Sequence, residues 1–300
     1  MRDIIGKKWW FFIFSALIIV PGVVSLFKFG IRPAIDFTGG TLLEVKISES
    51  KAIPQKEDLK KIADEQQLEI ASLADTSDKT FLFRLKPIDK NQSKKLQDAI
   101  SLKYGDVSEV RFETVGPSIG KETEQNAFKA VLIASFAIII YVALAFRKIH
   151  KPYSSLKFGI CAVIALLHDI FVIIGLFSIF GQLYKVEVDS LFITALLTIM
   201  GFSVHDTIVV FDRIRENLKR MAGNSFAAIV NESIIQTMAR SLSTSLTVLF
   251  TLLALLLFGG ESTRWFIIAL LIGVTSGTYS SVFNAAPLLV LWEEWGKKKN

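Results

Sequence analysis

Six stretches of this 300-residue chain are apolar over a length close to the roughly 20 residues a helix needs to cross a bilayer. They lie near residues 9–29, 127–146, 158–181, 189–211, 243–258 and 265–291. Lipid offers no partner to a backbone amide, so runs of this kind fold as membrane-spanning helices. The fifth run is short as written and reaches back into the preceding segment, near Thr237. Pro21 and Gly22 interrupt the first run and mark a position for a kink that neighbouring helices tolerate. The N-terminal MRDIIGKKWW and the apolar run behind it resemble a signal peptide. The run is too long for a signal core and lacks a small-residue cleavage site, so it reads as an uncleaved signal anchor.

Composition agrees with an integral membrane protein: 51% of residues are hydrophobic and 24 are Phe. The net charge of +6 does not point to nucleic acid, because the basic residues cluster beside apolar runs, where they set topology. Arg2, Lys7 and Lys8 precede the first run. Arg147, Lys148, Lys151 and Lys157 separate the second from the third. Arg213, Arg215, Lys219 and Arg220 separate the fourth from the fifth, and Lys297, Lys298 and Lys299 follow the sixth. The opposite short loops carry only Lys185 and Arg264. The bias places both termini of a multi-pass membrane protein in the cytoplasm, with residues 30–126 and two short loops outside. Residues 1–29 are then a tail and first span, 30–126 an external domain, and 127–300 a bundle of five further spans with an amphipathic cytoplasmic segment at 213–240. That segment either lies on the membrane surface or packs across the ends of the bundle. The single cysteine, Cys161, excludes an intrachain disulfide and a zinc site of several thiolates.

Residues 30–126 read as α+β. Thr41–Ile47 alternates as a half-buried strand, and Pro54–Gln67 is a helix with Leu59, Ile62 and Ala63 on its apolar stripe. Ile70–Leu73 and Thr80–Leu85 are strands joined by the turn ADTSDK. Ile88–Tyr104 is a second helix with Leu96, Ala99, Ile100 and Lys103 on one face, and Val107–Val115 is a last strand. The order βαββαβ predicts a ferredoxin-like split βαβ domain. Gly39-Gly40 is a turn or bulge ahead of the first strand; no helix follows it directly, which argues against a phosphate loop.

The chemistry-bearing residues sit in the spans. In LFITALLTIMGFSVHDTIVVFDRIREN, Ser203, Asp206, Val210, Arg213 and Asn217 share one helix face. A carboxylate inside an apolar run costs several kcal/mol without a partner, and carrying a proton is its usual use. The alternative is a helix that leaves the membrane a turn or two earlier, with Asp206 in water. Arg240 opens the fifth span, and Thr237, Thr244, Thr247 and Thr251 extend a polar stripe from it. If that stripe faces the interior it can hold water and host a moving proton. Arg240 stays charged and cannot carry the proton itself, but it can hold Asp206 ionised and release it on protonation. Its other reading is a cytoplasmic anchor. His168-Asp169 and His205-Asp206 invite a metal reading. Adjacent residues diverge by about 100° on a helix, and those spans hold no third histidine, so a proton relay or interhelical hydrogen bonding suits His168, Asp169 and His205 better. Gly273, Ser276, Gly277, Ser280, Ser281 and Asn284 give the sixth span a close-packing face, with a solvated path as the secondary reading.

Five passages carry a resemblance: IDFTGG after the first span, VGPSIGKETEQNAFKA before the second, HD in the third, GFSVHDTIVVFDRIREN in the fourth and GTYSSVFNAAPLLVLWE in the sixth. Together they resemble the SecF branch of the SecD/SecF protein-export family over nearly the whole chain. The resemblance implies half of an RND-type membrane domain with six spans and a ferredoxin-like external domain. It implies SecD as partner, assistance to the SecYEG translocon with YajC and YidC as further candidates, and unfolded exported polypeptide as the cargo. The proton gradient, not a cofactor or a covalent step, would supply the work. Asp206 matches the family's proton-linked aspartate and Arg240 its essential arginine. The residue before that aspartate is usually Asn in the family and is His205 here, either a titratable participant or a passive hydrogen-bonding substitute. The competing functional class is a proton-coupled small-molecule exporter of RND type, disfavoured by the single external domain. An intramembrane enzyme is disfavoured by the lack of a nucleophile–base pair or metal triad.

Overall fold

The computed structural model describes residues 3–48, 54–77, 79–146 and 153–298. Arg2, Arg147, Lys148, Lys151 and Lys299, which carry part of the charge bias, lie outside the described residues, as does Asp78 of the expected turn. In chain order the elements are α1 (Lys8–Phe29), α2 (Ile35–Thr38), β1 (Gly40–Ile47), α3 (Lys56–Glu65), β2 (Ile70–Ser77), β3 (Thr80–Leu85), α4 (Lys90–Tyr104), β4 (Val107–Val115), α5 (Pro117–Ala145), α6 (Ser155–Leu183), α7 (Ser190–Arg220), α8 (Phe226–Phe258), α9 (Arg264–Ser280), a π-helical turn (Ser281–Ala285) and α10 (Ala286–Lys298). The chain divides into two compact units, Pro33–Phe128 and the remainder.

In the first unit the antiparallel sheet has the order β2-β3-β1-β4, with both longer helices inserted in a βαββαβ chain order. That is the ferredoxin-like arrangement. Leu43, Val45 and Ile47 alternate inward from β1 and meet Phe81, Phe83 and Leu85 from β3. Leu59, Ile62 and Ala63 of α3 and Leu96 and Ile100 of α4 cover them. Some details differ from the sequence reading. β2 runs on to Ser77, so Ala74–Ser77 of the expected turn are strand paired with β3. Lys103 is exposed, and Tyr104 continues the buried face, because steps of four from Leu96 lead through Ile100 to Tyr104. The helix begins at Lys90 instead of Ile88 because Asp89 caps it: its carboxylate accepts from the Gln92 amide at 2.7 Å, and the Gln92 side chain accepts from the Asp89 amide at 3.0 Å.

Gly39 and Gly40 take positive φ of 70° and 129° where α2 turns into β1. A Cβ on Gly39 would stand 2.9 Å from Pro117 Cα, and one on Gly120 would stand 2.7 Å from the Gly39 nitrogen. The double glycine is therefore a backbone crossing against the first turn of α5. It needs both the left-handed conformation and the missing side chain.

Six helices of the described chain are long and apolar enough to cross a membrane; five lie in the second unit, and α5 begins in the first and continues into the second from Lys129. α1 crosses α6 where Gly22 meets Gly175: a Cβ on either glycine would come within 2.9 Å of the other's backbone. Ser25 and Ser178 hydrogen-bond beside that crossing at 2.9 Å. Pro21 lies within an unbroken α1. α7 packs between α8, α9 and α6, and Gly277 of α9 would place a Cβ 3.1 Å from Ser203 Cβ of α7. Small residues let backbones approach where lipid provides no hydrophobic drive between helices.

Two expectations for the fifth span are corrected. Residues 213–240 are not a separate amphipathic element: residues 213–220 complete α7, Met221–Asn224 turn with Gly223 at φ 95°, and α8 then runs unbroken from Phe226. No proline or glycine interrupts it, and Ser225 caps its first turn, so nothing ends the helix before Gly259. The threonine stripe also does not face the interior as a whole. Thr237 is buried, whereas Thr244, Thr247 and Thr251 are exposed and bond back to carbonyls of their own helix at 2.8–3.0 Å. The buried hydroxyls are Ser233, Thr237, Ser241 and Ser245, at steps of four. A step of seven turns the helix by about −20° and a step of eight by about +80°, so the two series diverge from Thr237 to opposite flanks.

Gly120→Ala should destabilise the α+β unit by about 1–3 kcal/mol through the clash at Gly39, and Gly39→Ala should cost at least that much with the left-handed penalty added. Urea-dependent proteolysis of the full chain measures both, and wild-type resistance in either would contradict the crossing. In detergent-solubilised chain, Thr247→Val should leave thermal stability within about 0.5 kcal/mol, while Ser245→Ala should lower it by about 0.5–1.5 kcal/mol. Equal losses would contradict the orientation of α8.

Candidate functional site

Among the described residues two carboxylates are buried within the spans, and each is met by hydroxyls from neighbouring helices. Asp206, 2% exposed on α7, accepts from Thr278 Oγ1 of α9 at 3.4 Å. That single hydroxyl proton is shared with the Val274 carbonyl, 2.9 Å away on the same helix, and Thr278 Oγ1 also lies 2.5 Å from Ser245 Oγ of α8. Asp206 thus stands at the meeting of three helices. The face expected to hold it is buried at Ser203, Asp206, Val210 and Asn217. The helix continues well past Asp206 to Arg220, as the apolar IVVF implies.

Toward the charged end of α7 lies a cavity of about 430 Å³ lined by Asp212, Arg213, Glu216, Gln236, Thr237 and Arg240 together with Ile208 and Val209. Arg213 bonds Gln236 at 2.6 Å and Glu216 at 2.5 Å, and Asn217 bonds Ser233 and Gln236 at 2.9 Å. Arg240 is exposed in this cavity. Among the described residues no hydrogen bond or ion pair joins it to Asp206. The direct Asp206–Arg240 contact expected from the sequence is therefore not formed, because Arg240 lies on the threonine flank of α8 and Ser245 lies on the flank toward α9.

Asp169, 1% exposed on α6, is more completely ligated. It accepts from Ser203 at 2.5 Å, Ser276 at 2.6 Å and Ser280 at 2.7 Å, and lies 3.0 Å from His168 Nδ1. The imidazole continues the network: His168 Nε2 lies 3.0 Å from Ser15 of α1, which in turn meets the Asn284 amide at 2.8 Å. His205 is exposed on α7 and joins neither network. The five relay candidates therefore separate into a closed His168–Asp169 centre, a second centre at Asp206, and two exposed groups, His205 and Arg240. The sequence reading assigns none of Ser15, Ser245, Ser276, Thr278 and Ser280 to these centres. The readable signal was hydroxyl spacing: Ser276 and Ser280 are one turn apart on α9, and Ser241 and Ser245 one turn apart on α8.

Comparison with known proteins places this arrangement. A family model described as "Protein export membrane protein SecD/SecF, C-terminal" matches residues 95–295, and one for the SecD/SecF GG motif matches residues 24–51. The protein translocase subunit SecF of Thermobaculum terrenum is 45% identical, covering 98% of this chain and 94% of its own length. That of Anaerolinea thermophila is 44% identical, covering 98% and 96%. The SecDF of Bacillus subtilis is 38% identical over 99% of this chain, which spans 39% of that longer protein. A crystal structure of a Thermus SecDF, described as a translocon-associated membrane protein, superposes with a TM-score of 0.82 at 33% identity. It covers 98% of this chain and 39% of its own. A SecDF in a super-membrane-facing form gives 0.70 at 32% identity, covering 99% and 39%. On these matches, which span the sheet, the spans and both buried carboxylates, the chain belongs to the SecD/SecF family of protein-export membrane proteins.

Proposed function

We propose that this chain couples proton movement through Asp206 to protein export, as the SecF half of a SecD–SecF complex that assists the Sec translocon in the cytoplasmic membrane. The observation that carries the reading is a carboxylate 2% exposed among hydroxyls, one helix turn from an open polar cavity that holds Arg240. Burial makes the charge on Asp206 expensive, and the cavity gives it a neighbouring wet environment. A small change in helix packing that moved Asp206 between the two would load or unload its proton. Each pKa unit is worth about 1.4 kcal/mol, and a 100 mV potential supplies about 2.3 kcal/mol per charge. The gradient is thus large enough to drive a swing of one to two units without any covalent step. Arg240 keeps its charge throughout and acts as the counter-charge that Asp206 meets when the packing changes.

A membrane partner is part of this reading. Arg240, Thr244 and Thr247 form an exposed polar stripe on α8, and His205 is exposed on α7. Polar side chains facing lipid are costly, so this face suits a second bundle and not acyl chains. SecDF relatives, in which this chain spans 39% of one polypeptide, support SecD as that bundle. SecYEG, with YajC and YidC, is the assembly the complex would serve. The α+β domain, residues 30–126, would lie outside the membrane and hold unfolded polypeptide through its edge strands β2 and β4, by strand addition and without catalysis. Both termini would be cytoplasmic. A small-molecule exporter would use the same carboxylate, but a single α+β domain offers no paired substrate chamber.

In inverted vesicles holding the full translocase, Asp206→Asn should abolish the gradient-dependent phase of export while leaving insertion, partner binding and ATP-driven initiation intact. Arg240→Ala should fail in the same phase, and Arg240→Lys should rescue it poorly. An uncoupler-sensitive rate equal to wild type in Asp206→Asn would reject Asp206 as the carrier. For topology, Lys79→Cys should label from outside intact cells and Lys299→Cys should not. The reverse pattern would invert the assignment.

A further inference from the structure

Asp169 lies off the proton route proposed above, yet it binds more donors than Asp206 does. We propose that Asp169 is a positioning residue for Asp206 and acts through α9; this rests on the reading of Asp206 as the proton-linked group. Ser276 and Ser280 sit one turn apart on α9, and both donate to Asp169, at 2.6 and 2.7 Å. Thr278 lies between them in sequence, about 200° around the helix from each, and faces the other carboxylate. Two aspartates on two helices, α6 and α7, therefore grip the same turn of α9 from opposite sides.

The two grips are unequal. The Asp169 contacts are short, whereas Thr278 reaches Asp206 at 3.4 Å, near the outer limit for a hydrogen bond. The Asp169 clamp sets the rotation of α9, and the Thr278–Asp206 contact is the one free to open or close. The clamp is braced on its third side, because Ser203 of α7 donates to Asp169 at 2.5 Å and backs onto Gly277 of α9. The π-helical turn begins directly after Ser280, at Ser281. It gives the sixth span a joint at the end of the clamp, in the position where such turns accompany functional sites.

Asp169 itself is badly placed to carry a proton. It is 1% exposed, and the cavity of about 570 Å³ beside His168 is mostly apolar, with Phe14, Val172 and Leu271 in its wall and the hydroxyls of Ser15, Ser276 and Tyr279 in its polar part. No charged side chain lines that cavity. The groups that bear on Asp206 are few. On its own helix there is His205, and on α8 there are Ser245, whose hydroxyl bears on the carboxylate, and Arg240 in the neighbouring cavity. α9 presents Thr278, the π turn presents Ser281 bonded to Thr207, and α6 presents Asp169 by way of Ser203.

The test is the pH profile of gradient-driven export in vesicles carrying the full complex, for Ser276→Ala, Ser276→Thr, Thr278→Val and the Ser276→Ala/Thr278→Val double variant. Ser276 borders the cavity, so threonine restores the hydroxyl with room for its methyl group. Ser276→Ala should move the midpoint of the profile by about half a pH unit and slow export about twofold or more, the lower end of coupling between residues in contact. Ser276→Thr should restore the wild-type profile, and the double variant should be displaced no further than Thr278→Val alone. A profile unmoved by Ser276→Ala, with only less inserted protein, would overturn the positioning role, as would strictly additive effects in the double variant. If Asp206→Asn retains the wild-type profile, the carrier reading falls and this inference falls with it. If Asp206→Asn fails but the serine variants leave the profile in place, the positioning role alone is rejected.

Discussion

A carboxylate in hydrocarbon must be met by donors, and the second unit is assembled around that requirement twice. Asp169 and Asp206 sit on neighbouring helices, and neither could be buried unless other helices brought hydroxyls to them. The donors come from serine and threonine, which are short enough to let helices approach and polar enough to bond. Ser203 serves one carboxylate from the helix that carries the other, while Ser276, Ser280 and Thr278 divide the two faces of α9 between them. Removing the charges would leave buried hydroxyls with no common acceptor, at about 1–3 kcal/mol for each unsatisfied group.

The small residues of α9 are what make this geometry reachable. Gly277 against Ser203 and Gly273 against Ile199 leave no space for a side chain. α1 and α6 use the same device at Gly22 and Gly175. Close backbones allow short polar side chains to span from helix to helix, so packing and electrostatics are satisfied by the same choice of residues. Packed arrangements of this kind change by discrete rearrangement more readily than by gradual deformation, which is what a device cycling between two proton states requires.

Much of this was legible in the sequence, for reasons that can be traced. The spans follow from runs of apolar residues that nothing else explains, and the βαββαβ order follows from the alternation in Thr41–Ile47, the helical stripes on either side of the 70–85 strands, and the short β-prone runs at Thr80–Leu85 and Val107–Val115. Asp206 stood out because burying a charge is costly enough to demand a use. The face of α8 was harder. Thr237 belongs to both the exposed threonine series and the buried serine series, and hydropathy does not distinguish two polar flanks of one helix. Which flank is buried depends on how α8 packs against α7 and α9, and that is settled by tertiary contacts. The Asp206–Arg240 contact failed for the same reason. The family resemblance aligns the two residues, but in this chain alone Arg240 sits on the open flank.

The central claim is that Asp206 moves protons. Its most direct test is proton flux itself. The chain would be reconstituted with SecD in liposomes containing a pH-sensitive dye, with a potential imposed across the membrane. The account predicts a flux in the wild-type complex that disappears in Asp206→Asn while His205→Asn retains it. A flux in Asp206→Asn equal to wild type would contradict the account.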